Sequence, residues 1–167
     1  MLKIGKNLSE WSAYSCQPTT KGELRYIIEE RISKEGTNCD LNDIDTSLIT
    51  DMNSLFYNSD FNGDISEWNV SNVKNMNFMF AYSKFNGDIS RWDVRNVNDM
   101  SYMFRASKFT GDISGWNVSS VKNMSMMFSY SGFNGNISNW KINKDCNTSN
   151  MFLKSHIKNE YKPKLLQ

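Results

Sequence analysis

Apolar residues in this chain fall on a grid. Phe61, Ile65, Trp68, Val70, Val73, Met76, Met79 and Phe80 are each matched 24 positions later, from Phe85 to Phe104, and again from Phe109 to Phe128, with polar residues between them. The block Phe61-Asn62-Gly63-Asp64-Ile65-Ser66 returns at Phe85, Phe109 and Phe133 with no insertion. A fixed period of this length marks a repeat architecture, in which each unit buries its apolar face only against its neighbours. Counting back one period places Ile49, Met52, Leu55 and Phe56 in a divergent first unit. Counting forward leaves only Met151 and Phe152 apolar, as expected of a terminal unit that meets water. The units are 37–60, 61–84, 85–108, 109–132 and 133–152.

Within one unit Trp68 and Val70 alternate with Glu67, Asn69 and Ser71, the period of two that predicts a short strand over about 66–71. Val73, Met76, Met79 and Phe80, spaced three, three and one apart, predict a two-turn helix started by Ser71 or Asn72. Gly63, Gly87, Gly111 and Gly135 occupy one slot of the closing turn, which predicts a positive φ there. The expected fold is α/β: a right-handed, leucine-rich-repeat-like solenoid of four to five strand-helix-turn coils. Ahead of it, Thr20-Lys21-Gly22-Glu23 has capping-box spacing, Leu24, Ile27, Ile28 and Ile32 form an apolar stripe, and Gly36 marks a stop. Residues 1–36 are therefore read as an N-terminal segment with a capping helix, 37–152 as the repeats, and 153–167 as a basic tail.

The consensus W-[ND]-V-x-x-V-x-[ND]-M-x-x-M-F followed by F-[NT]-G-[DN]-I-S resembles the repeats of BspA-like leucine-rich-repeat surface proteins, also described as mycoplasma lipoprotein-type repeats. The likeness covers about residues 18–152, including the lead-in Leu41-Asn42-Asp43-Ile44-Asp45. The resemblance implies a bacterial or bacterium-associated surface or interaction protein, phage included. It implies no catalytic residue and no cofactor.

Charge changes this picture little. With 19 bases against 18 acids the chain has a formal charge of +1, so no global field draws it to nucleic acid or to an anionic membrane. No run of apolar residues is long enough to span a bilayer, and the N-terminus lacks the apolar core of a secretory signal. As written the chain reads as cytoplasmic, whereas the resemblance implies the cell surface. Cys16, Cys39 and Cys146 are too widely spaced for a zinc or dithiol motif.

Several columns invite chemistry. Trp68, Trp92, Trp116 and Trp140 could form an aromatic platform, but they fill the slot where leucine-rich repeats bury leucine, and the methionine columns have the phase of a core. Asp64, Asp88, Asp112 and Asn136 stand at equivalent positions, either accepting backbone N–H bonds in their own turns or stacking into a cation site. His156 is the only histidine, and G-x-S-x-G, G-x-x-x-x-G-K-[ST] and H-E-x-x-H are missing, so no catalytic site, cofactor or metal is assigned. What varies between units is the polar set beside the tryptophans. Glu67, Asn69, Arg91, Asp93, Arg95, Asn117 and Lys141 are the candidate partner-binding residues, with Arg95 the sharpest because its slot holds serine or asparagine in the other units; the helical side around Lys74, Asn98, Arg105 and Lys122, or the basic tail, is the second candidate. A non-enzymatic protein-interaction module, binding a host or target-cell protein through the variable strand face, is the expected function. The alternatives are a structural component that self-associates end to end and a carbohydrate-binding adhesin.

Overall fold

The computed structural model describes residues 15–167, so the reading of the first 14 residues lies outside the described residues. One α-helix, α1 (Lys21–Glu35), precedes the repeats. The side chain of Thr20 accepts from the Glu23 N–H, the Glu23 carboxylate accepts from the Thr19 N–H at 2.8 Å, and the Gly36 N–H, at φ 90°, donates to the Ile32 carbonyl. Reciprocal side-chain bonds satisfy the orphan N–H groups at the start, and a left-handed glycine closes the end. Leu24 and Ile28 are buried against the first unit. Arg25 donates to the Ser54 carbonyl, Lys21 pairs with Asp51, and Arg31 forks onto Asp43.

The repeats depart from the expected fold. Among the described residues they contain no sheet and no α-helix, only isolated parallel bridges such as Asp51 with Asn75, Asn75 with Asp99 and Asp99 with Asn123. The strand-helix-turn coils of a leucine-rich-repeat solenoid are therefore absent.

Backbone bonding supplies the physical reason. In the predicted helix, Met79, Ala81 and Ser83 donate to the carbonyls of Met76, Phe78 and Phe80, closing three overlapping β-turns. Phe78 and Tyr82 sit at φ 54° and 59°, which no right-handed helix accommodates. The intervening N–H groups of Met76, Phe78, Phe80 and Tyr82 donate to Asp99, Ser101, Met103 and Arg105 of the next unit. With the Asn77 N–H on its own neighbour Asn75 Oδ1, every N–H from Met76 to Ser83 has an acceptor, as buried backbone demands. The same pattern repeats from Met52, from Met100 and from Met124. Apolar positions three, three and one apart satisfy this chain of turns as well as they satisfy a helix.

The predicted strand over 66–71 is likewise absent. Ile65, Trp68 and Val70 are buried, so the alternation is real. However, the Trp68 and Val73 N–H groups donate within their own segment, to Ile65 and Val70. Contact with the preceding unit is made by side chains instead. The indole N–H of Trp68, Trp92, Trp116 and Trp140 donates to the carbonyl of Leu41, Ile65, Ile89 and Ile113 at 2.9 to 3.2 Å. The Asn72 and Asn96 amides reach the Ser47 and Ser71 carbonyls rather than capping a helix.

The glycine expectation is corrected too. Gly63, Gly87, Gly111 and Gly135 do not have positive φ; Gly36 alone does among the described glycines. A Cβ on Gly87 would lie 2.9 Å from the ring of Phe85 and 3.1 Å from the Gly63 carbonyl, and one on Gly63 would lie 1.9 Å from the Cys39 carbonyl. The slot requires close approach of a ring and a neighbouring backbone, not a left-handed turn.

Inside, columns of rings run from unit to unit. Phe56, Phe80, Phe104, Phe128 and Phe152 stack at 5.5 to 5.8 Å. Phe61, Phe85, Phe109 and Phe133 stack beside them at 6.2 to 6.4 Å. The tail is ordered by the last unit. Single-turn 3-10 helices cover Asn159–Tyr161 and Lys164–Leu166, the Ile137 N–H donates to the Tyr161 carbonyl, and Ile157 and Pro163 are buried.

Candidate functional site

Two arcs of each unit face solvent with different chemistry. The first carries the predicted partner-binding residues. Glu67, Asn69, Arg91, Arg95, Asn117 and Lys141 are exposed and Asp93 is half-buried, but they stand on turns rather than on a strand face. Asn69 and Asn117 accept from the Ser71 and Ser119 N–H groups. Asp93 accepts both the N–H and the Nε–H of Arg95, the latter at 2.8 Å. These are Asx turns, in which a short polar side chain closes its own backbone. Much of this polarity is thus consumed by the fold.

The aspartate column resolves similarly. Asp64, Asp88 and Asp112 accept from the N–H groups of Ser66, Ser90 and Ser114 at 2.9 Å, with Asn136 doing the same for Ser138. These backbone bonds hold each carboxyl below the usual aspartate range. No cluster of three potential metal ligands occurs among the described residues. Burial raises the thiols of Cys16, Cys39 and Cys146, and all three are unbridged. A raised thiol stays protonated and is a poor nucleophile.

The second arc, made by the chained turns, is the side that carries the second candidate set Lys74, Asn98, Arg105 and Lys122, but its aromatic residues are not among the sequence-predicted site residues. Its outward positions hold Tyr57, Phe78, Tyr82, Tyr102, Met126 and Tyr130, with Tyr57, Tyr82 and Tyr130 exposed at 49, 42 and 49%. Phe78 and Tyr102 stack at 4.4 Å with 4° between planes, and Tyr57 meets Phe78 and Tyr82 edge-on at 6.2 and 5.7 Å. The Arg105 guanidinium lies 5.7 Å from the centroids of both Tyr82 and Tyr102, and the Lys154 ammonium lies 5.3 Å from that of Tyr130. Phe78, Tyr82, Tyr102, Met126 and Tyr130 all have φ between 54° and 59°. Large side chains rarely occupy that region, at a cost of about 1–2 kcal/mol each. The signal was present in the sequence as aromatic residues recurring at Phe78, Tyr82, Tyr102 and Tyr130, off the core positions.

At its N-terminal end the strip meets a groove of about 340 Å³ between α1 and the first turns, lined by Arg25, Ile28, Glu29, Ile32, Leu55 and Tyr57. No described helix is long and apolar enough to cross a membrane.

No curated protein and no solved structure matches this chain. The repeats that build both arcs do match one family model, described as Mycoplasma protein of unknown function, DUF285, over residues 27–131 and 81–162, and the chain belongs to that family.

Proposed function

We propose that the protein is a non-enzymatic binding protein that holds another protein on the strip formed by Tyr57, Phe78, Tyr82, Tyr102 and Tyr130. One observation carries this reading: Tyr82 and Tyr130 are held exposed, with Phe78 and Tyr102 half-buried beside them, at left-handed backbone positions. Stability alone favours glycine or asparagine there. Strain at an exposed site is a warrant for a functional role, and tyrosine is enriched at the anchoring residues of protein interfaces. The motif's likeness to BspA-like repeats adds a finer reading, in which the place of action is a cell surface, and the partner proposed with it is a host or target-cell protein.

This reading moves the site away from Arg91 and Arg95. End-to-end self-association has less support, because α1 packs on the first unit and Ile157 and Pro163 pack at the last. Carbohydrate binding has less support as well. Sugar rings and bases lie on open aromatic faces, whereas Phe78 and Tyr102 cover one another and Arg105 lies against Tyr82 and Tyr102.

Comparative capture from host-cell surface extract tests the proposal. The Tyr82→Ser/Tyr130→Ser variant should lose the proteins retained by wild type, and Arg91→Ala/Arg95→Ala should keep them. Loss in the second variant and retention in the first would return the site to the arc beside the tryptophans. Binding on a glycan array, or concentration-dependent growth in sedimentation, would favour the other two readings.

A further inference from the structure

Arg105 is unlike any other base of the repeats. Its guanidinium is wedged between Tyr82 and Tyr102, each centroid 5.7 Å away, and its buried Nε–H has no acceptor. An orphaned buried donor costs about 1–3 kcal/mol and asks for an explanation. Two rings hold the planar fork in place, so its two terminal NH2 groups, unlike the buried Nε–H, are oriented toward solvent before any partner arrives, and that arrangement suits bidentate contact with a carboxylate.

The surroundings repeat this demand for negative charge. The turn segments 74–87, 98–111 and 122–135 carry Lys74, Lys84, Arg105, Lys108 and Lys122 against a single acid, Asp99, whereas the first segment, 50–63, carries Asp51, paired with Lys21, and Asp60. Asp99 is half-buried and accepts from the Ser101 N–H and hydroxyl. Lys84 pairs with Asp60 at 2.9 Å. Most acids of the same units, Asp64, Glu67, Asp88, Asp93 and Asp112, lie on the opposite arc. A chain of almost no net charge therefore presents a locally basic, aromatic surface.

Resting on the proposed protein-binding role of this strip, we infer that it takes an acidic segment of a partner protein, with Arg105 as the carboxylate anchor and Tyr82 and Tyr102 as its walls. Ring edges carry the positive side of the aromatic quadrupole and phenol hydroxyls donate, so the neighbouring side chains also favour carboxylates and carbonyls. A nucleic acid would find the same cations but few open faces on which to stack its bases.

Titration of the full chain with poly-L-glutamate, followed by NMR of arginine Nε–H and tyrosine ring signals, tests this inference. Arg105, Tyr82 and Tyr102 are expected to shift, Arg91 and Arg95 to stay still, and affinity to weaken with salt. Arg105→Lys keeps the charge but loses the fork and should weaken poly-L-glutamate by roughly tenfold, with a wild-type melting curve confirming that it folds. Unmoved Arg105 signals, equal affinity of Arg105→Lys, or tighter binding of oligo-dT or a heparin fragment at the same residues would each overturn the assignment. If poly-L-glutamate fails while Tyr82→Ser/Tyr130→Ser still loses its captured proteins, the binding role stands and the acidic partner alone falls.

Discussion

The two exposed arcs of each unit are built by the same device and put to opposite use. In both, polar or left-handed residues close tight turns. Beside the tryptophans the residues that close them are Asp64, Asn69, Asp88, Asp93 and Asn117, each accepting a backbone N–H two residues on. On the chained turns the equivalent strained positions hold Phe78, Tyr82, Tyr102 and Tyr130. The first arc is assembled from what the backbone needs. The second carries side chains the backbone would do better without, which is why the candidate interface lies there.

The largest test breaks the first arc. Trp92→Ala removes a buried ring and its bond to the Ile65 carbonyl, and should cost about 3–5 kcal/mol in urea unfolding. Trp92→Phe keeps most of the ring and should cost about 1–3 kcal/mol, the penalty of an unpaired carbonyl. Glycine substitutions should come next and fall in a defined order. Gly63→Ala drives a Cβ to 1.9 Å from the Cys39 carbonyl, whereas on Gly111 the nearest backbone atom is 3.7 Å away and only the Phe109 ring intrudes, at 2.9 Å. Gly111→Ala should cost about 1–3 kcal/mol and Gly63→Ala more. Equal melting temperatures would refute close approach as the reason for glycine.

On the second arc the sign reverses. Tyr82→Asn relieves a left-handed tyrosine and should raise stability by about 1 kcal/mol, while weakening capture of the partner. A destabilised Tyr82→Asn would mean that the ring serves packing. Returning to the first arc, Arg91→Ala/Arg95→Ala should stay within about 0.5 kcal/mol of wild type in thermal melts. The smallest effect concerns acid. The Asp64, Asp88 and Asp112 carboxyls titrate below their ordinary value when folded, so they bind protons more weakly folded than unfolded. Their contribution is complete above the unfolded aspartate pKa of about 3.9 and is lost as pH falls through the lower folded values. Asp88→Asn should flatten that dependence in urea midpoints measured between pH 6 and pH 3.

Much was legible from spacing. The period of 24 placed the buried columns, and Ile65, Trp68, Val70, Val73, Met76, Met79 and Phe80 are all buried. Thr20 and Gly36 bracket α1 because capping chemistry is local. Backbone form was not legible. Periodicity reports which side chains point inward, and residues 76, 79 and 80 point inward equally in a helix or in overlapping turns. The decisive residues were Phe78 and Tyr82, whose types argue against positive φ, so propensity concealed the turns. Phe78 and Tyr82 are not among the candidate site residues either, because the polar variation at Glu67, Arg91 and Arg95 points first to the other arc and only second to Lys74, Asn98, Arg105 and Lys122 on this one.

The chained turns send their inter-unit N–H bonds forward, whereas the indoles and backbone amides such as those of Lys74 and Asn98 donate backward, and the forward set has a consequence for synthesis. Met52, Ser54, Phe56 and Asn58 donate their N–H groups to carbonyls 23 positions further on, from Asn75 to Ala81, and each following unit does the same. A ribosome delivers the donors before the acceptors. Every unit therefore emerges incomplete and is finished by the one translated after it, with α1 already available to cover the leading side. Folding should follow translation from the N-terminus one unit behind the growing chain, and a nascent chain stalled after Ser83 should leave the amides of Met76, Phe78, Phe80 and Tyr82 open to exchange.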